Sequence, residues 1–150
     1  MSPIRCDVVS VERTVFSDDV DMVLAPGIEG QLGILPHHAP LMTALVPGEL
    51  IIRRAGQEDL HMAVGGGFME VRPDRVTILA DSAERADEID LERAEAARQR
   101  AEQRLRERPP GVDIARAETA LKRSQVRLKI ARRYKATRGG VGPGESGREP

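Results

Sequence analysis

Over the first eighty residues, apolar and polar positions change places in short runs. Ile4, Cys6 and Val8 alternate with Arg5, Asp7 and Val9, and Val20, Met22 and Leu24 alternate with Asp21, Val23 and Ala25 before a Pro26-Gly27 break. A period of two is that of a half-buried strand, whose successive side chains point to opposite faces. Further short strands are read at residues 31–35, 41–45, 49–54, 60–64, 68–71 and 75–80, separated by breaks rich in Gly, Pro, Asp or Gln. Many short strands with closely spaced turns predict a β-sandwich or flattened barrel.

From Asp87 the period changes to three and four. Ile114, Ala117, Leu121, Ser124, Leu128 and Ala131 form one narrow apolar seam, and Leu91, Ala94, Ala101 and Leu105 form another, interrupted by Arg98. Asp113 stands where it can cap the second helix, and Pro109-Pro110-Gly111 ends the first. The expected architecture is an all-β sandwich over residues 1–84, a C-terminal antiparallel two-helix hairpin over 85–137, and a Gly-rich disordered tail over 138–150.

Composition sharpens that division. Residues 1–80 hold eight Gly and six Pro, whereas residues 81–138 hold only Pro109, Pro110 and Gly111. Both residue types break helices, so the second part is built of long uninterrupted elements. Alanine fills many seam positions, and burying it stabilises far less than the roughly 1.5–3 kcal/mol of a buried Leu. Yet Ala, Glu, Arg, Gln and Leu are strong helix formers. The pattern therefore predicts a weakly closed arm that separates without melting.

Charge is segregated too. Residues 1–80 carry 6 Arg against 11 Asp or Glu, while residues 81–138 carry 16 Arg or Lys against 11 Asp or Glu. A basic arm on an acidic body points to an acidic partner or an anionic ligand. A nucleic-acid-binding module would share the basic arm. However, one Tyr, two Phe and no Trp leave no stacking platform, and acids at Glu92, Glu95, Glu102 and Glu118 interrupt the positive face. Cys6 is the only cysteine, so no internal disulfide forms and a reducing compartment is expected. No charged-then-apolar leader and no apolar run of about 20 residues are read, so a soluble chain is expected, reaching any membrane through a partner.

Catalytic chemistry finds little support. Adjacent His37 and His38 would point to opposite sides of an extended segment, and His61 has no partner at ligand spacing, so no metal site is expected. Gly65-Gly66-Gly67 lacks the Lys-Ser/Thr of a phosphate loop and reads as a tight connection between strands. Cys6 reads as a small buried hydrophobe. No nucleophile is assembled with its base, so the chain is not expected to be an enzyme. The arm's arginines stand out instead. Arg93 and Arg100 share a face two turns apart, Arg116 and Arg123 repeat that spacing, and Arg127 follows one turn later. Guanidinium groups converging from two helices repel one another unless an anion lies between them, and their planar forks suit phosphate oxygens.

Three segments together resemble the epsilon subunit of F-type ATP synthases. They are Cys6-Asp7-Val8-Val9-Ser10-Val11-Glu12 with Val15-Phe16-Ser17; Gly30-Gln31-Leu32-Gly33-Ile34-Leu35-Pro36-His37-His38-Ala39-Pro40-Leu41; and Val76-Thr77-Ile78-Leu79-Ala80-Asp81 leading into Ile89-Asp90-Leu91-Glu92-Arg93-Ala94. The resemblance implies a ten-stranded sandwich with a two-helix arm, seated where the central stalk meets the membrane rotor ring. It also implies a peripheral position on the cytoplasmic face of the bacterial membrane.

As partners it implies the gamma subunit, the rotor ring of c subunits with Gln31 and His38 as candidate contacts, and the catalytic alpha/beta head, which an extended arm reaches to oppose ATP hydrolysis. The family commonly has Glu where this chain has Gln31 and Gly where it has His37. Some bacterial members bind ATP on the folded hairpin as a regulatory ligand. By that resemblance Glu84, Ile89, Asp90, Arg93, Ala94, Arg100, Arg123 and Arg127 are the candidate ATP-binding residues. The rival within the same family reading is a purely structural coupling subunit whose arm is a static brace.

Overall fold

A computed structural model describes residues 2–139. Eight strands come first: β1 (Ile4–Ser10), β2 (Thr14–Val20), β3 (Met22–Gly27), β4 (Gly30–Ile34), β5 (Leu41–Arg53), β6 (Leu60–Arg72), β7 (Arg75–Ala80) and β8 (Ala83–Arg85). A 3-10 turn at Ala86–Glu88 then leads into α1 (Leu91–Glu107) and α2 (Ile114–Gly139). Of the tail expected over 138–150, residues 140–150 lie outside the described residues.

The sandwich followed by a helical hairpin is borne out, with eight strands rather than ten. The two missing strands are the second halves of long ones. The breaks expected after Leu45 and Val64 are not chain reversals, because β5 and β6 each run unbroken for 13 residues. Pro47-Gly48 faces Gly65 and Val64 across that pair, and the register holds through it. Gly65-Gly66-Gly67 is thus the middle of a strand and not a connection. Gly66 and Gly67 have φ of +102° and +134°, backbone that only glycine adopts readily.

The strands follow the order β2-β1-β7-β6-β5-β3-β4, with β8 paired to β6. Only β1 and β7 run parallel among the pairs. β2 escaped the alternation reading for a physical reason. A register shift between Val8 and Val9 puts a bulge in the β1–β2 ladder, and both Val15 and Phe16 turn inward. The main core gathers Ile4, Val8, Val23, Leu50, Ile52, Met62, Met69 and Ile78, all buried. Cys6 joins it, and burial pushes its thiol up to about 12, with Asp7 adding to the effect and Arg5 opposing it. It is an inert apolar filler.

Both helix ends are capped locally. Asp90 accepts from the backbone N–H of Arg93 at 3.1 Å, and Asp113 accepts from that of Arg116 at 3.1 Å. Arg108 closes α1 in the left-handed region at φ 42°, its N–H returning to Arg104 O at 3.0 Å. Among the described residues, His37 is the other non-glycine with positive φ, at 66°. That conformation costs an L-residue roughly 1–2 kcal/mol. Among the described residues, no helix is long and apolar enough to cross a membrane.

Candidate functional site

α2 carries two stripes, and the sequence pattern exposes only one. Ala117, Ser124, Leu128 and Ala131 face α1, where Ala94 and Ala101 are buried opposite them. Buried Ser124 is satisfied within its own helix, donating to Ala120 O at 2.8 Å. Arg98 does not breach this seam as a loose charge: Glu102 accepts from it at 2.6 Å and Glu95 holds its other nitrogens. Arg132 reaches across from α2 to Glu95 at 3.4 Å.

The second stripe, Arg123, Arg127, Ile130 and Tyr134, steps by four, three and four and faces the sandwich. Ile130 is buried in a small cluster with Ala63 of β6, Ala86, Ile89, Ala94, Leu128 and Ala131. Around it the contacts are ionic. Arg123 donates from Nε to Gly65 O at 2.9 Å and holds Asp81 at 3.6 Å. Arg127 Nη2 donates to Glu84 at 3.2 Å, while its Nε lies 2.7 Å from the other carboxylate oxygen but off the N–H direction. Arg133 grips Glu49 of β5, and His61 Nδ1 lies 2.9 Å from the same carboxyl group. Burial would push that carboxyl up, but the bonds from Arg133 and His61 outweigh it and hold Glu49 below its ordinary value.

Gly65 makes the first of these latches possible. A Cβ there would sit 2.2 Å from Ser82 Oγ and 2.9 Å from Arg123 Nε, so the bare backbone is the notch that receives the guanidinium. The linker between β8 and α1 is also tied to the body. Arg13 meets Glu88 at 2.5 Å, and Arg85 donates to Val15 O at 3.0 Å.

These contacts locate the eight candidate ligand-binding residues. Glu84, Arg123 and Arg127 lie together at the body–α2 contact. Ile89 and Ala94 are buried in the cluster beneath α2, and Asp90 is engaged in capping α1. Arg93 and Arg100 are exposed on α1, and among the described residues their side chains enter no hydrogen bond or ion pair. Sequence reasoning missed Glu49, His61, Gly65, Asp81 and Arg133. The one available signal was the four-three-four spacing of Arg123, Arg127, Ile130 and Tyr134.

Away from the arm, Gln31 is exposed at the start of β4, and His38 lies in the turn beyond that strand's other end, its Nδ1 2.7 Å from Ala39 O. A separate apolar row crosses the outer face of the sheet. Val9, Leu79, Phe68 and Ala44 are successive cross-strand neighbours on β1, β7, β6 and β5. Phe68 and Leu79 are 60% and 57% exposed, more than a monomer's isolated surface apolar residue needs to explain, because they adjoin.

The chain matches two family profiles end to end: "ATP synthase, Delta/Epsilon chain, beta-sandwich domain" over residues 3–86, and "ATP synthase, Delta/Epsilon chain, long alpha-helix domain" over 87–132. It is 54% identical over 136 residues to an ATP synthase epsilon chain of Dehalococcoides mccartyi, covering 90% of this chain and 96% of that one. A Desulforamulus reducens ATP synthase epsilon chain is 58% identical over 101 residues, 67% of this chain and 76% of its own. Among solved structures, a chain of the Euglena gracilis mitochondrial ATP synthase OSCP/F1/c-ring assembly superposes with a TM-score of 0.62 at 22% identity, covering 91% of this chain and 82% of that one. Sandwich, hairpin and relatives agree: this chain belongs to the ATP synthase delta/epsilon family, as a non-catalytic epsilon subunit of the central stalk.

Proposed function

We propose that this subunit couples rotor movement to ATP synthesis through its sandwich and restrains ATP hydrolysis through its arm, with ATP as the regulatory ligand that keeps the arm folded. The observation that carries this reading is the composition of the body–α2 contact. On the sandwich-facing stripe of α2 one large aliphatic side chain, Ile130, is buried, beside Ile89 of the linker and small alanines, and three arginine–acid latches surround it. Burying Ile130 is worth roughly 1.5–3 kcal/mol, and partly exposed ion pairs add about 1 kcal/mol or less each. A contact of that size opens on a functional timescale while both helices keep their own hydrogen bonds. The released basic helices then reach acidic surface on the catalytic head.

ATP has a place on the folded hairpin because the latches leave donors unused. Each guanidinium offers five N–H groups, and Arg123 and Arg127 engage the body mainly through Nε and Nη2. Their remaining donors, with unpartnered Arg93 and Arg100 on the other helix, suit a polyphosphate. Such a ligand exists only while the hairpin is closed, so its binding favours the closed form. The exposed row around Phe68 and Leu79 is the surface we assign to the gamma subunit, with Gln31 and His38 turned toward the rotor ring at the cytoplasmic face of the bacterial membrane.

A static brace is the competing reading, and the counter-ions already supplied by Asp81 and Glu84 favour it. Calorimetric titration of the whole chain with ATP separates the two. Saturable binding at or below millimolar ATP, weakened at least tenfold by Arg123→Ala, is expected. No heat with either protein at millimolar nucleotide would leave only the brace.

A further inference from the structure

The third latch differs from the other two because it contains a histidine. Glu49 is shared between Arg133 of the arm and His61 of the body, and both body residues are half-buried on adjoining strands. The cluster borders a groove of about 1050 Å³ between the β5–β6 loop, the 3-10 turn and the last turns of α2. The charged and titratable groups that face His61 around it are Glu49 of β5, Arg54, Glu58 and Asp59 of the loop, Asp87 of the 3-10 turn, and Arg133 and Tyr134 of α2.

We propose that Glu49, His61 and Arg133 form a proton-responsive latch, in which protonation of His61 releases the C-terminal end of α2 from the sandwich. The inference rests on the mobile-arm reading above and names one input to it.

The sign follows from what stays and what leaves. Glu49, Arg54, Glu58, Asp59 and Asp87 all belong to the body or its pinned linker, so they surround His61 whether the arm is docked or not. Among the described residues that line the groove around His61, Arg133 is the cation that departs with the arm. In the docked state an imidazolium shares the Glu49 carboxylate with Arg133 and is repelled by it. In the undocked state the imidazolium has that carboxylate to itself. Protons therefore bind the open form more tightly, and by linkage acid favours opening. Histidine is the residue type whose charge changes between about pH 5 and 8, while Glu49, held below the ordinary carboxylate range, stays ionised across that window. Among the described residues, the partners of Arg123 and Arg127 are carboxylates and a carbonyl, with no histidine.

The test is a spin-label distance measurement on the full chain, with labels on Glu12→Cys of the body and Lys129→Cys of α2; buried Cys6 stays unlabelled. Between pH 7.5 and pH 5.5 the long-distance population is expected to rise several-fold, His61→Gln to abolish that rise, and Arg133→Ala to raise the population at both pH values. An equal pH response with and without His61 would overturn this latch alone, provided Arg133→Ala still opens the arm. Arms that stay docked in every variant at both pH values would overturn the mobile-arm reading and the latch with it.

Discussion

Gly67→Ala is expected to destabilise the sandwich by several kcal/mol, on the order of 3–5, and to lower its thermal midpoint by on the order of 20 °C in circular dichroism. The added Cβ would stand 2.1 Å from Leu79 O and 2.9 Å from Ala80 Cα, both backbone atoms of the neighbouring strand that cannot rotate aside. The φ of +134° adds conformational strain for any L-residue. Relief would require unzipping β6 from β7 at the Gly67–Ala80 pair, which opens the main core between Met69 and Ile78. Gly65→Ala provides the contrast. Its obstructing atoms are the ends of the Ser82 and Arg123 side chains, so the sandwich keeps its midpoint and the arm loses a latch.

Arg127→Glu is expected to detach the arm, raising the open fraction at least tenfold, equivalent to about 1.4 kcal/mol, as read from the radius of gyration in X-ray scattering. The substitution sets a carboxylate against Glu84 at a contact where the two side chains are only 24% and 33% exposed, so solvent screens little of the repulsion. Reversing both charges, Arg127→Glu with Glu84→Arg, restores the compact form, because the double change keeps the pair and removes only its orientation. Recovery by the pair distinguishes a latch from a general loss of helix stability. Helical circular dichroism stays constant throughout, since α1 and α2 retain their caps at Asp90 and Asp113.

The sequence made the architecture legible because its signals were local. The scarcity of Gly and Pro after residue 80, the Asp113 cap and the Pro109-Pro110-Gly111 stop together define two helices that the structure places within a few residues of expectation. Strand boundaries were less legible. A bulge hid β2 by burying both Val15 and Phe16, and the glycines and proline inside the long strands β5 and β6 looked like turns.

The candidate site was half visible for a related reason. Arginines at helical spacing announce a charged face, but nothing local says which acids will meet it. Glu49, Asp81 and Glu84 come to α2 from β5 and the β7–β8 region, up to 84 residues away in sequence. Gly65 receives Arg123 because β6 presents bare backbone under the helix there. Contacts assembled from distant segments leave no periodicity to read. The family resemblance points to residues at the site, and the partners they meet are set by the tertiary fold.

The account rests on an arm that leaves the body as an intact pair of helices. Single-molecule fluorescence transfer between Glu12→Cys and Lys129→Cys measures this directly, with and without ATP. Two separations are predicted, with the longer depleted by ATP and enriched by Arg127→Glu. A single short separation, unmoved by nucleotide and by that substitution, would contradict the account.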